Sequence, residues 1–172
     1  MTSVSFPIGA PVELRPERPL VIGVGHRLRC DDAAGPLLMD RLAAHGWPVR
    51  EESGEGVALM EAWSGQTQVL VVDAAVSGAP PGTLHRFDAT TTLLPSSLFR
   101  GSSHLFGVAQ AVELARSLGR LPPRLEILAI EGRNFAFGET LTPEVATAIE
   151  VALALLLADP LLKQSDSSPP NF

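Results

Sequence analysis

Asp31, Asp32, Asp73 and His104 are the side chains whose type and placement could carry chemistry. The first two lie in Gly23-Val24-Gly25-His26-Arg27-Leu28-Arg29-Cys30-Asp31-Asp32-Ala33-Ala34-Gly35, directly after a short apolar run. A glycine-containing turn there would deliver two adjacent carboxylates to the start of a helix, whose N-terminus favours negative charge by about 0.5 kcal/mol. Helix capping by either aspartate explains the placement as readily as catalysis does. Asp73 follows the apolar run Gln68 to Val72, where it would face the crevice of an α/β sheet or bond its own backbone in a turn. His104, in Ser102-Ser103-His104-Leu105, opens an expected helix. An imidazole there can bind a metal, exchange a proton or simply cap. Asp32, Asp73 and His104 are 41 and 31 residues apart, so only the fold can unite them. Two carboxylates and an imidazole suit a first-row divalent ion with open positions for a substrate, without selecting nickel over zinc or cobalt.

The elements that must position these groups alternate along the chain. Leu20 to Val24 is a short continuous apolar run with β-branched residues, as in a buried parallel strand, and Gln68 to Val72 and Leu125 to Ile130 read as two further buried strands. Val49 to Glu52 and Gly82 to Phe87 are weaker strand signals. Between them fall a helix through Leu37, Leu38 and Leu42 closed by His45-Gly46, a short helix over Ala58 to Trp63, and one over Leu105 to Leu118. Thr142-Pro143-Glu144 starts a last helix, with threonine as N-cap and proline at N1, that runs to about Leu157. This predicts an α/β fold: a single three-layer domain over residues 20–160, with a mostly parallel twisted sheet and helices on both faces. Residues 1–19, with Pro7, Pro11, Pro16 and Pro19, read as an irregular arm, and residues 161–172 as a flexible tail. Thr90 to Gly101 reads as a long loop that orders against a partner.

Composition narrows the classes. The 172 residues are 45% hydrophobic with a formal net charge of −6 and no basic cluster, which argues for a globular chain and against nucleic-acid binding through phosphates. One cysteine, Cys30, rules out an internal disulfide or a multi-cysteine zinc site. We expect it to be a small packed residue rather than a nucleophile. No signal-peptide pattern or membrane-length apolar stretch is visible, so a cytoplasmic, membrane-free protein is the expectation. Position 28 is Leu28, so the dinucleotide fingerprint fails at its third glycine. Ala62-Trp63-Ser64-Gly65 lacks the glycines of a nucleophile elbow, which disfavours a serine mechanism.

At these same residues the chain resembles the hydrogenase maturation proteases, endopeptidases that trim the C-terminal extension of a nickel hydrogenase large subunit. The resemblance runs in order through Gly23 to Gly35, Asp73 with Pro81-Gly82-Thr83 after it, Ser102-Ser103-His104-Leu105-Phe106-Gly107, and Leu141-Thr142-Pro143. It implies that Asp32, Asp73 and His104 are metal ligands; Asp32 is then the catalytic candidate, with Asp31, which could orient it or cap the helix, and His26 as possible supporting residues. It further implies that the nickel is carried by the substrate, with other divalent metals able to substitute, and that the partner is a large-subunit precursor. Cleavage would then use metal-polarised water or a carboxylate general base, with Asp32 the nearest candidate. A single copy suffices for this site, so a monomer is expected.

Two departures accompany the resemblance. His26 stands where the family has asparagine, and either adds a metal-facing nitrogen or replaces a structural amide. Ser53-Gly54-Glu55-Gly56 replaces an Asp-Gly-Gly-Thr-like segment. The second change motivates an alternative reading, a non-catalytic docking protein or chaperone for a metalloenzyme subunit. Arg133, after the last strong strand, could hold a substrate carboxylate or be a solvated loop charge.

Overall fold

The apolar runs pair into one five-stranded sheet of order β2-β1-β3-β5-β4. In a computed structural model, which describes residues 18–95 and 103–159 (the side chains of 103–106 excepted), β1 is Leu20–Val24, β2 Val49–Glu52, β3 Gln68–Ala75, β4 Leu84–Asp88 and β5 Arg124–Glu131. The helices are α1 Ala34–Ala44, α2 Gly56–Ala62, α3 Ser103–Ser117 and α4 Pro143–Ala158. A 3-10 turn, Cys30–Ala33, leads into α1. Strands β2, β1, β3 and β5 are parallel, and β4 closes one edge antiparallel to β5. The expected arm and tail lie outside the described residues, apart from Arg18 and Pro19, as do residues 96–102 of the expected loop.

Strand periodicity sorts the core into two layers. Val21, Leu70, Val72, Leu128 and Ile130 pack under α1 and α4, against Leu38, Leu42, Ile149 and Leu156. Ile22, Val24, Val69, Val71, Leu125 and Ile127 pack under α2 and α3, against Leu59, Val108, Ala111 and Val112. Both faces of the central strands are therefore largely apolar, which is why these strands read as buried and parallel. Among the described residues no helix is long and apolar enough to cross a membrane.

Three details differ from the sequence expectation, and each moves a polar residue. β3 continues through Ala75, so Asp73 lies inside the strand, paired with Ala129 of β5, rather than after its end. The small residues Ala74 and Ala75 carry little strand signal of their own, and the neighbouring β5 ladder extends them. β5 likewise includes Glu131. The 3-10 turn has no apolar period and is set by long-range contacts, so its carboxylates precede α1 instead of capping it directly.

Candidate active site

Asp32 is positioned by close backbone approach. Gly25, at φ +137°, lies so near the 3-10 turn that a Cβ on it would fall 2.0 Å from the Asp32 carbonyl oxygen. Gly35 starts α1 against two strand ends, where a Cβ would lie 2.3 Å from Val24 O and 2.5 Å from Val72 O. Only glycine admits both contacts. They set the Asp31-Asp32 turn beside the carboxyl ends of β1 and β3, the edge where α/β sheets place ligands.

Asp32 is buried, and its Oδ2 accepts the His26 backbone N–H at 3.0 Å. The His26 ring turns the other way: its Nδ1 accepts the Leu28 N–H at 3.2 Å. That bond closes a turn as an asparagine side chain would. His26 thus spends Nδ1 on its own turn, and its backbone N–H reaches Asp32.

Asp31 is also buried but serves a different part of the chain. It accepts the backbone N–H groups of Arg133 at 2.9 Å, Asn134 at 2.8 Å and Thr142 at 2.7 Å, and the Thr142 hydroxyl at 3.2 Å. Asp31 thus neither caps α1 nor holds Asp32; it fastens the turn to the loop after β5 and to the start of α4. Thr142 is the N-cap and Pro143 the N1 residue of α4, as expected, but the threonine hydroxyl donates to Asp31 and makes no cap bond.

Asp73 shares a phase with Val69 and Val71, so it faces the layer of α2 and α3. It is fully buried. Its Oδ1 accepts the adjacent Ala74 N–H at 2.7 Å, and its Oδ2 accepts no hydrogen bond from the described residues. Burial raises its pKa well above the ordinary carboxylate value. The Ala74 N–H opposes that shift, and repulsion from Asp32 adds to it. The two carboxylates are therefore close enough to feel each other.

His104 lies in the first turn of α3, and its side chain is outside the described residues. The backbone fixes where that turn sits. A Cβ on Gly107 would be 1.8 Å from the Gly54 carbonyl, so α3 begins against the loop that follows β2. This is the carboxyl edge, on the face that Asp73 also occupies. The glycine-bearing Ser53 to Gly56 segment thus has a packing role here, whatever else it does. Among the described residues no group of three or more His, Cys, Asp and Glu side chains could hold a metal ion, and the side chain of His104 is not among them.

The remaining expected residues fall outside this pair. Cys30 is buried. Arg133 is exposed, 3.6 Å from Glu144, and contributes its backbone N–H to Asp31. Sequence reasoning missed Glu131, a buried carboxylate that accepts Ser77 N, Ser77 Oγ and Gly78 N at 2.7–2.9 Å and contacts His85 Nε2 at 3.2 Å. An acid completing an otherwise apolar run was the available signal.

The site is thus a buried carboxylate pair at the carboxyl edge of a doubly covered α/β sheet, with a helix start beside it. The HycI family model, described as hydrogenase maturation protease, matches residues 53–159. The hydrogenase expression/formation protein HupD of Rhodobacter capsulatus is 30% identical over 148 residues, covering 81% of this chain and 70% of that one. The hydrogenase 2 maturation protease of Escherichia coli (strain K12) is 27% identical over 149 residues, covering 82% and 89%. Among solved structures, the hydrogenase maturating endopeptidase HybD from E. coli superposes with a TM-score of 0.70 at 28% identity, covering 82% of this chain and 90% of that one. The chain belongs to the hydrogenase maturation protease family, and its class is peptidase.

Proposed function

We propose that this peptidase removes the C-terminal extension of a nickel-loaded hydrogenase large-subunit precursor. In this reading the metal arrives as part of the substrate and meets Asp32, Asp73 and His104; other divalent ions could take its place. The observation that carries the reading is Asp73: a buried carboxylate with one oxygen unused by the described residues, set beside a second carboxylate. Buried like charges are costly unless a cation offsets them. A metal-loaded precursor supplies that cation and an unloaded one does not, which makes cleavage a checkpoint. Asp32 takes the catalytic role: it accepts a proton from the water that attacks the scissile carbonyl, and the departing amine is protonated as the C–N bond breaks. One chain supplies all three side chains, which fits action as a monomer, and a cytoplasmic setting fits a substrate trimmed before it is put to use.

The test is a processing assay on nickel-loaded precursor, followed by mass spectrometry. Wild type should shorten the precursor, and Asp32→Asn should slow this by at least about 100-fold. His104→Ala should retain no metal-dependent cleavage. Precursor that binds wild type yet stays intact would replace the peptidase reading with a docking protein.

A further inference from the structure

The loop that positions Asp32 also holds an apolar side chain out in water. Leu28 is 50% exposed, although its backbone is pinned on both sides: its N–H donates to His26 Nδ1 and its carbonyl accepts the Gly138 N–H at 2.9 Å. Phe137, next to Gly138, is 81% exposed. Its ring lies 5.5 Å from the Arg29 guanidinium, which also donates to the Phe135 carbonyl. The two loops are clasped along their backbones by Cys30 N–H to Gly138 O at 2.8 Å and Asp31 N–H to Asn134 O at 2.9 Å. The clasp holds Cys30 at φ +46° and Gly138 at φ +150°, with Gly138 so close that a Cβ would meet Cys30 Sγ at 3.1 Å. A non-glycine residue at positive φ is strained, and such strain gathers at functional sites.

We propose that Leu28 and Phe137, braced by Arg29, form an apolar rim that docks the folded surface of the precursor beside its scissile segment. The occupant follows from continuity with the site. Leu28 lies between His26 and Asp32 on one short turn, so a protein that presents a peptide bond to Asp32 must lie against it. The two apolar side chains stand on a rigid platform rather than in a cavity, which suits a protein surface and not a small molecule. An exposed aromatic beside arginine is also the composition that dominates binding energy at protein interfaces. The rim completes the proposed function by giving it a contact that recognises the protein body, separate from the metal-facing carboxylates.

The inference rests on that function for its occupant, and steady-state processing of loaded precursor separates the two. Phe137→Ala and Leu28→Ser should each raise KM about tenfold and leave kcat unchanged, the mark of binding shared by ground and transition states. Phe137→Leu should restore most of the lost affinity. Leu155→Ser, which removes an equally exposed leucine from the far end of α4, should leave KM where it was. Thermal melts of the rim variants should match wild type, because both side chains are exposed. Unchanged KM in both rim variants would overturn the docking rim while leaving the peptidase reading intact. A wild-type dimer that Phe137→Ala dissociates, with KM unchanged, would assign the rim to self-association instead. No cleavage by wild type would overturn the proposed function, and with it the occupant of the rim.

Discussion

Asp31 and Asp32 are neighbours in sequence with opposite assignments. Asp31 has both oxygens engaged by donors from residues 133–142, whereas Asp32 accepts the His26 N–H and its charge is felt at Asp73. Asp31→Ala would strand the buried Thr142 N–H and two part-buried ones and should cost roughly 2–4 kcal/mol, read as a lower denaturation midpoint. Asp32→Asn should lose activity with a much smaller change in stability. Asp73 has a pH signature. Its folded pKa lies above its unfolded value, so the native state holds the proton more tightly over the interval between the two. Stability therefore falls as pH rises from the ordinary carboxylate range to the raised value, and the cost is fully present above it. Asp73→Asn should flatten that slope and raise the melting temperature at neutral pH, by about 2–4 °C per kcal/mol relieved, while abolishing processing. A melting temperature that falls at neutral pH would show that Asp73 is not held under strain.

At the scale of elements, the sequence carried most of what it could through local pattern. Leu20 to Val24 and Val49 to Glu52 are strands as expected, and α4 begins at Pro143 after its threonine N-cap. The interior position of Asp73 was not legible, because the extension of β3 depends on β5, more than fifty residues away. Nor was the direction of Asp31, whose partners lie on the far side of the chain. The glycines of the first motif were visible as a turn, but which contact each one permits was not. Gly35 is a strict case, since its neighbours on two strands are backbone oxygens that cannot rotate away. Gly35→Ala should shift α1, destabilise by about 3 kcal/mol and pull Asp32 from Asp73. Loss of processing together with a lowered melting temperature would confirm the coupling; an unchanged melt would refute it.

For the whole molecule, the ordered motifs from Gly23 to Pro143 gave the family as well as the layer architecture, because each marks a strand end or helix start of one sheet. Two apolar layers hold the sheet from both sides, and the chemistry gathers along a single edge. Glu131 shows what such a plan hides from sequence: a buried acid whose work is to pin the turn after β3. Glu131→Ala should quicken amide hydrogen exchange at Ser77 and Gly78 while leaving exchange in β1 unchanged.

The bond from Thr142 to Asp31 spans 111 residues. During synthesis the first turn of the site therefore lacks its last fastening until all five strands have been made. A nascent chain that stops short of Thr142 already contains Asp32, Asp73 and His104 yet lacks the last of the bonds that fasten Asp31. Such pairings between distant parts of a chain form late. In pulsed exchange during refolding, the His26 amide, which Asp32 accepts, should gain protection in step with α4 and after β1. The turn that carries Asp31 and Asp32 would thus be fully fastened only once the start of α4 is in place.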